Sequence, residues 1–106
     1  MPVQITIIGL GQVGASIGLA LKSRGASVTL VGHDKDSRTA KTAQEAGAVD
    51  TWKYNLPDSV RDARIVILAV PFADVRETLE VIAPDLQDGT LVLDTALSKG
   101  TVASWA

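Results

Sequence analysis

The chain has 106 residues, a common size for one domain, with 46% apolar residues, 21% charged residues and a formal net charge of −2. This composition suits a buried core rather than a disordered tail, and without a basic cluster it excludes nucleic acid as an expected partner. There is no cysteine and one histidine, which excludes disulfides and thiolate sites and predicts a cytoplasmic protein without a metal centre. No signal sequence and no membrane-spanning run are predicted.

Strands and helices are predicted to alternate along the chain. The strands are expected at 3–8, 27–32, 49–54, 64–70 and 90–94. The helices are expected at 12–24, at 36–47, around 56–62 and between 71 and 84, and the start of another at 98–106. The run at 64–70 is apolar without alternation, which is typical of a strand buried on both faces. The pattern predicts an α/β protein, a doubly wound parallel sheet in the order 3-2-1-4-5, formed by one dinucleotide-binding domain over residues 1–106.

A glycine-rich turn, G-x-G-x-x-G, follows the first strand directly at residues 9–14. Between a strand and a helix it is typical of dinucleotide binding: one glycine permits the tight turn, the next admits the pyrophosphate, and the third permits close packing. The free N–H groups of the following helix favour an anion. The predicted pyrophosphate-binding residues are therefore Gly9, Gly11, Gln12, Val13 and Gly14. The alternative is a turn that holds no ligand.

An acidic residue at the end of the second strand completes the pattern. Asp34 lies 20 residues after Gly14, where a carboxylate accepts the ribose hydroxyls of NAD and repels the 2′-phosphate of NADP. Its alternative role is to cap the next helix, a task that suits Asp36 better. NAD is therefore the predicted cofactor, while the nearby cations Lys35 and Arg38 leave NADP possible.

In a doubly wound sheet, ligands bind outside the carboxyl ends of the strands where the strand order reverses. Ala69, Val70 and Pro71 follow the fourth strand and are expected to contact the cofactor, with Val70 and Pro71 near its nicotinamide-side ribose. Val75 is expected to wall the adenine or ribose pocket. The alternative for Pro71 is that it only ends the strand.

Three residues after the fifth strand are expected beside the nicotinamide: Thr95, Ser98 and Lys99. They are the candidate catalytic residues. The alternative is that Thr95 or Ser98 caps the next helix and that Lys99 is a solvated surface cation.

Several segments, taken in order, resemble the cofactor domain of prephenate and arogenate dehydrogenases. They lie at 9–21, 31–36 (VGHDKD), 46–50 (AGAVD), 68–71 (LAVP), 93–94 and 99–100. The resemblance implies a Rossmann-fold oxidoreductase that moves hydride from the cyclohexadienol ring of prephenate or arogenate to the nicotinamide. Carbon dioxide is lost, and hydroxyphenylpyruvate or tyrosine forms. The resemblance also implies Gly9, Gly11 and Gly14 at the pyrophosphate and Asp34 at the ribose.

Two departures from that family stand out. Its members usually carry a serine three residues after the strand-five aspartate, where Leu97 stands here between the hydroxyl-bearing positions 95 and 98. The family's catalytic histidine would lie just past Ala106, and His33 belongs at the adenosine end. A helical domain that closes over the small-molecule substrate and forms a homodimer is likewise expected outside these residues, so the isolated chain is predicted to be inactive.

Two other functions stay open. One is the cofactor domain of another β-hydroxyacid-dehydrogenase-like or deazaflavin-dependent NADP oxidoreductase, and the other is a non-catalytic module that senses NAD(H). Trp52, on a predicted edge strand, and Trp105 are candidates for apolar surface that meets a further domain or partner. Singly exposed aromatic residues are also ordinary.

Overall fold

A computed structural model describes residues 2–25 and 27–95, together with the backbone of 101–104. In this part of the chain the strands are β1 (Val3–Ile8), β2 (Val28–His33), β3 (Thr51–Trp52), β4 (Ile65–Leu68), β5 (Leu91–Asp94) and β6 (Thr101–Ser104). The α-helices are α1 (Gln12–Ser23), α2 (Ser37–Glu45), α3 (Leu56–Val60) and α4 (Phe72–Ile82), and a short 3₁₀ helix follows at Ala83–Asp85. None of the helices in the described residues is long and apolar enough to cross a bilayer.

The strands form one sheet in the order β3-β2-β1-β4-β5-β6. Strands β1 to β5 are parallel, with β1 paired to β2 on one side and to β4 on the other. The predicted doubly wound sheet and its order 3-2-1-4-5 are therefore confirmed. The strand order reverses between β1 and β4, and a crevice at their carboxyl ends is where this topology binds ligands.

The predicted helix over 98–106 is wrong at Thr101–Ser104. These residues form β6, which runs antiparallel to β5 with register from Leu91↔Ser104 to Asp94↔Thr101. An unpaired edge of β5 would present a row of free N–H and C=O groups, and β6 supplies their partners. Two of its four residues are β-branched, which suits a strand. The rest of the predicted helix lies outside the described residues.

Two apolar clusters cover the two faces of the sheet. One joins the sheet to α1 and α2 and includes Ile7, Leu30, Ala40, Ala43 and Ile67. The other joins the sheet to α3 and α4 and includes Ile8, Val60, Val66, Leu68 and Ile82. Because β4 contributes residues to both clusters, its sequence is apolar throughout, as its burial on two faces requires.

The edge strand and the start of α2 settle two smaller expectations. Trp52 lies on the edge strand β3, as predicted, but it is partly buried and packs against the α1–α2 cluster. Trp52 therefore belongs to the edge of the core and is not an exposed apolar surface. Trp105 lies outside the described residues. Asp36 caps α2, because its Oδ1 accepts a hydrogen bond from the Arg38 N–H at 3.0 Å.

Candidate functional site

The glycine-rich loop makes a sharp turn between β1 and α1. Gly9 has a φ of +94°, and a Cβ there would stand 2.4 Å from the Ala69 carbonyl oxygen. A Cβ at Gly14, in the first turn of α1, would stand 1.8 Å from the Gly9 carbonyl oxygen. Neither position can hold a side chain without a shift of backbone. These two glycines bring the start of α1 against the carboxyl ends of β1 and β4.

Gly11 is different, because the fold leaves the space beside it open. Among the described residues, no heavy atom lies within 4 Å of a Cβ built at Gly11, and its backbone is extended. Gly11 is also the N-cap of α1, and no side chain in the described part of the chain caps it. The fold therefore leaves room beside Gly11 at the start of α1, where the first N–H groups of a helix have no partner within the helix.

Asp34 stands beside this loop, directly after β2. Its Oδ2 accepts a hydrogen bond from the Leu10 N–H at 2.8 Å, and its Oδ1 accepts one from the Asp36 N–H at 2.9 Å. The side chain is half-buried. Because each carboxylate oxygen has two lone pairs, both oxygens can still accept a hydroxyl of a bound ribose.

A cavity of about 370 Å³ opens at this edge of the sheet, a volume typical of sites for small molecules and cofactors. It is lined by Ile8, Gly9, Gly11, His33, Asp34, Lys35, Leu56, Ala69, Val70, Pro71, Asp74, Glu77, Thr78 and Val81. Seven residues of the predicted site thus meet around one space: Gly9, Gly11, Asp34, Lys35, Ala69, Val70 and Pro71. They come from the ends of β1, β2 and β4, as the topology requires.

Val75 is not among the residues that line this cavity. It packs against the apolar cluster on the α3–α4 face, while its neighbours Asp74, Thr78 and Val81 line the cavity. Positions 74, 78 and 81 share one side of a helix, and position 75 lies 100° further round. The apolar stripe of α4 that the sequence shows is the stripe that faces the core.

Gln12 and Val13 begin α1, beside Gly11. The Gln12 side chain borders a second, more open groove between α1 and α2, which Arg38 also lines. Val13 is 56% exposed. Neither residue is among those that line the cavity beside Asp34.

The other seven lining residues were not among the predicted site residues: Ile8, His33, Leu56, Asp74, Glu77, Thr78 and Val81. Of these, the sequence placed only His33, at the adenosine end. Four of the seven lie on α4, at position 74 and at the i+3, i+4 and i+7 positions from it, so the second face of that helix was the available signal. Leu56 begins α3 and carries no comparable signal in the sequence.

Charged groups stand on both sides of the cavity mouth. Lys35 Nζ lies 4.0 Å from Asp74 Oδ2, and the Lys35 side chain is 88% exposed. Such a pair is screened by water and contributes little to stability. The pair places a negative charge beside Lys35, the cation that follows Asp34 in the sequence. Among the described residues, no group of three or more histidine, aspartate or glutamate side chains could hold a metal ion.

The candidate catalytic residues are only partly described. The Thr95 hydroxyl donates to the Leu68 carbonyl oxygen at 2.8 Å, and the Thr95 N–H donates to the same oxygen at 3.0 Å. Thr95 thus ties the end of β5 to the end of β4. Ser98 and Lys99 lie outside the described residues.

Comparison with known proteins gives a consistent result. A family model described as "Prephenate dehydrogenase, nucleotide-binding domain" matches residues 17–106. The prephenate dehydrogenase of Lactococcus lactis is 36% identical over 104 residues, which are 97% of this chain and 29% of that protein. The match to the family model begins after the glycine-rich loop. The similarity of the loop itself to the family therefore rests on the longer pairwise match.

Two solved structures are similar in fold. The arogenate dehydrogenase of Synechocystis has a TM-score of 0.79 and 32% identity, over 87% of this chain and 32% of that one. The 3-hydroxyisobutyrate dehydrogenase of Mycobacterium tuberculosis has a TM-score of 0.76 and 27% identity, over 89% of this chain and 31% of that one. The chain thus spans about a third of the length of the proteins it matches.

Proposed function

The chain belongs to the family of prephenate dehydrogenase nucleotide-binding domains, and we propose that its crevice binds NAD as the cofactor of an oxidoreductase. The observation that carries the proposal is the open space at Gly11 beside the Asp34 carboxylate, at the edge of the sheet where the strand order reverses between β1 and β4. The pyrophosphate binds at Gly11, on the N–H groups that begin α1. The adenosine ribose binds at Asp34. When bound, NAD supplies the acceptor for a hydride.

The charges around Asp34 support NAD over NADP. A 2′-phosphate would approach the Asp34 carboxylate, which repels it. Lys35 is the cation beside Asp34, and its charge is offset by Asp74 at 4.0 Å. Arg38 lines the groove between α1 and α2 instead of this cavity. Of the two cations that could bind a 2′-phosphate, Lys35 therefore has a carboxylate beside it and Arg38 lies at another surface.

The second side of the crevice would position the rest of the cofactor. We assign Ala69, Val70 and Pro71 to the nicotinamide-side ribose, since they follow β4 beside the reversal point. We assign Thr78 and Val81 to the adenosine end in place of Val75. Thr95, Ser98 and Lys99 remain our candidates for the reacting end because they follow β5.

We infer that the whole enzyme oxidises a prephenate- or arogenate-type substrate in tyrosine biosynthesis. A hydride leaves the ring carbon for the nicotinamide, the ring carboxylate leaves as carbon dioxide, and its bonding electrons complete the aromatic ring. The similarity to a prephenate dehydrogenase and to an arogenate dehydrogenase supports this substrate class. The relatives are about three times as long as this chain, so we assign substrate binding and homodimer formation to a further domain. We assign the enzyme to the cytoplasm because a chain without cysteine suits a reducing compartment.

A second candidate is the oxidation of another hydroxy acid. The 3-hydroxyisobutyrate dehydrogenase fold, at a TM-score of 0.76, favours it, and so does Leu97 in place of the serine that prephenate dehydrogenases usually carry. A panel of both substrate classes with the whole enzyme separates the two functions.

The proposal of NAD binding is tested by calorimetric titration with NADH and NADPH of the wild type and of Gly11→Ser. Serine is an N-cap at least as good as glycine, so the variant keeps its thermal stability. Its hydroxyl occupies the space and the N–H donors that the pyrophosphate needs, and we expect NADH affinity to fall at least tenfold. Ala20→Ser, on an exposed position of the same helix, is the matched control and keeps wild-type affinity. Wild-type affinity in Gly11→Ser would contradict the proposed pyrophosphate position.

A further inference from the structure

Both oxygens of the Asp34 carboxylate are engaged by the protein itself. Oδ2 accepts from the Leu10 N–H at 2.8 Å, and Oδ1 accepts from the Asp36 N–H at 2.9 Å. The first bond spans 24 positions of sequence and reaches the glycine-rich loop, while the second closes the turn that leads into α2. One side chain therefore fixes the loop and the start of α2 relative to each other.

The bond to Leu10 extends the pairing of β1 with β2. The register of the two strands ends at Ile8↔His33, and the Gly9 N–H donates to the His33 carbonyl oxygen at 2.8 Å. The next N–H along the loop, that of Leu10, donates to the Asp34 side chain. A carboxylate is a stronger acceptor than a neutral carbonyl group, since the hydrogen bond is charge-assisted.

Leu10 is also held by its side chain. The residue is 2% exposed and belongs to the α1–α2 cluster. It lies against Gly32, where a Cβ would stand 2.6 Å from Leu10 Cδ1. With the side chain in the core and the N–H on Asp34, Leu10 has little freedom. Gly11 follows immediately. The Asp34 bond, together with the buried Leu10 side chain, therefore fixes where the open space beside Gly11 lies.

We propose that Asp34 is a positioning residue for the pyrophosphate-binding loop, in addition to the ribose contact, an inference that rests on the proposed function. In the ligand-free protein it holds Leu10 so that Gly11 and the start of α1 face the crevice before the cofactor arrives. A loop ordered in advance loses less conformational entropy on binding, which raises affinity. Asp34 therefore contributes to the binding of any ligand that places a phosphate at Gly11, including one without an adenosine ribose.

Asparagine cannot take over this role. Its amide oxygen can accept one of the two N–H groups, but its NH₂ group then presents a donor to the other N–H. Asp36 provides a matched control two positions away. Its Oδ1 accepts a hydrogen bond from the Arg38 N–H at 3.0 Å, and asparagine is an equally good N-cap. Asp34→Asn and Asp36→Asn therefore remove the same charge from nearly the same place, but only the first leaves an N–H without its acceptor.

The first measurement is amide hydrogen exchange by NMR on the ligand-free chain. In Asp34→Asn the Leu10 N–H either loses its acceptor or keeps only a neutral amide oxygen, so we expect the Leu10 amide to exchange at least tenfold faster than in the wild type. In Asp36→Asn it exchanges at the wild-type rate. The amides of β4, such as Ile67, keep their protection in both variants, which separates a loosened loop from a general loss of stability.

The second measurement is the affinity for reduced nicotinamide mononucleotide, which carries a phosphate but no adenosine ribose. We expect Asp34→Asn to weaken it at least fivefold and Asp36→Asn to leave it within twofold. Unchanged Leu10 exchange or unchanged mononucleotide affinity in Asp34→Asn overturns the positioning role. If NADH affinity still falls in that case, Asp34 contacts the ribose only and the proposed function stands. If the wild type binds no NADH, the proposed function fails, while Leu10 exchange still decides whether Asp34 holds the loop.

Discussion

The two walls of the crevice are built on different principles. The first wall follows β1 and β2 and consists of Gly9, Gly11, Asp34 and Lys35. The second wall follows β4 and continues on α4; it consists of residues 69–71 with Asp74, Thr78 and Val81. The first wall offers N–H groups and a carboxylate that are fixed by hydrogen bonds and by backbone contacts too close for a side chain. The second wall offers mainly one face of a helix. The first can therefore recognise chemical groups, whereas the second supplies mostly shape.

This difference predicts that substitutions at the tightly packed glycines of the loop, Gly9 and Gly14, affect the fold and the site together, whereas Gly11 has open space beside it. In the second wall, stability and binding should depend on different residues, because one face of α4 packs on the core and another lines the cavity.

The largest effect is expected for Gly14→Ala. Its Cβ would stand 1.8 Å from the Gly9 carbonyl oxygen, so α1 or the loop must move. We expect a loss of about 3 kcal/mol or more in the free energy of unfolding, measured with urea, together with loss of NADH binding. Val70→Ala in the second wall deletes only a partly buried side chain and should lose about 1 kcal/mol. A smaller effect for Gly14→Ala than for Val70→Ala would remove the distinction between the walls.

An intermediate effect is expected at Asp50, which supports β2 behind the first wall. Its Oδ2 accepts from the Leu30 N–H at 2.8 Å, and its Oδ1 pairs with Lys22 of α1. Burial raises the pKa of Asp50, but the hydrogen bonds from Lys22 and Leu30 and the Lys22 charge together hold that pKa below its ordinary value of 3.8. The ionised carboxylate therefore stabilises the fold above the pKa of the unfolded chain, and this contribution is lost as the pH falls through the lower folded pKa.

Asp50→Asn should lower the free energy of unfolding by about 1 kcal/mol at pH 7, since the Leu30 N–H keeps only a neutral acceptor. The side chains of Lys22 and Asp50 are 35% and 39% exposed, so water limits the effect. The difference between variant and wild type should shrink as the pH falls below about 4. Urea unfolding at pH 7 and pH 3 measures it, and an equal difference at both values would contradict the assignment.

The last pair of substitutions separates the two faces of α4. Val75→Ala should lower the free energy of unfolding by about 1 kcal/mol, because Val75 packs on the core cluster, and should leave NADH affinity within twofold. Val81→Ala should leave stability within about 0.5 kcal/mol and weaken NADH about threefold, since Val81 lines the cavity. Calorimetry and urea unfolding on the same samples measure both quantities. The reverse pattern would restore Val75 as the cavity wall.

The first wall could be predicted from sequence because local chemistry determines it. A tight turn, a helix start and a carboxylate at a strand end each need particular residue types, and Gly9, Gly11 and Asp34 are such residues. The order of the parallel strands could also be predicted, because strands and helices alternate along the chain and the crossovers between parallel strands are right-handed.

The rest depends on contacts between distant parts of the chain. Whether 101–104 forms a helix or a strand is decided by the free edge of β5, which its own residues do not reveal. Both Val75 and Val81 are apolar residues on one helix, and the rotation of α4 on the sheet decides which faces the cavity. The bond from Leu10 to Asp34 joins residues that are far apart in sequence, and no local pattern indicates it.

The most direct test of NAD binding at the first wall is a titration of the ¹⁵N-labelled chain with NADH, followed by amide chemical shifts. The account predicts that the largest shifts lie at Gly9, Gly11 and Asp34, with smaller shifts at Thr78 and Val81. Shifts confined to the groove between α1 and α2, at Thr39 and Thr42, would contradict it. So would an unchanged spectrum at saturating NADH.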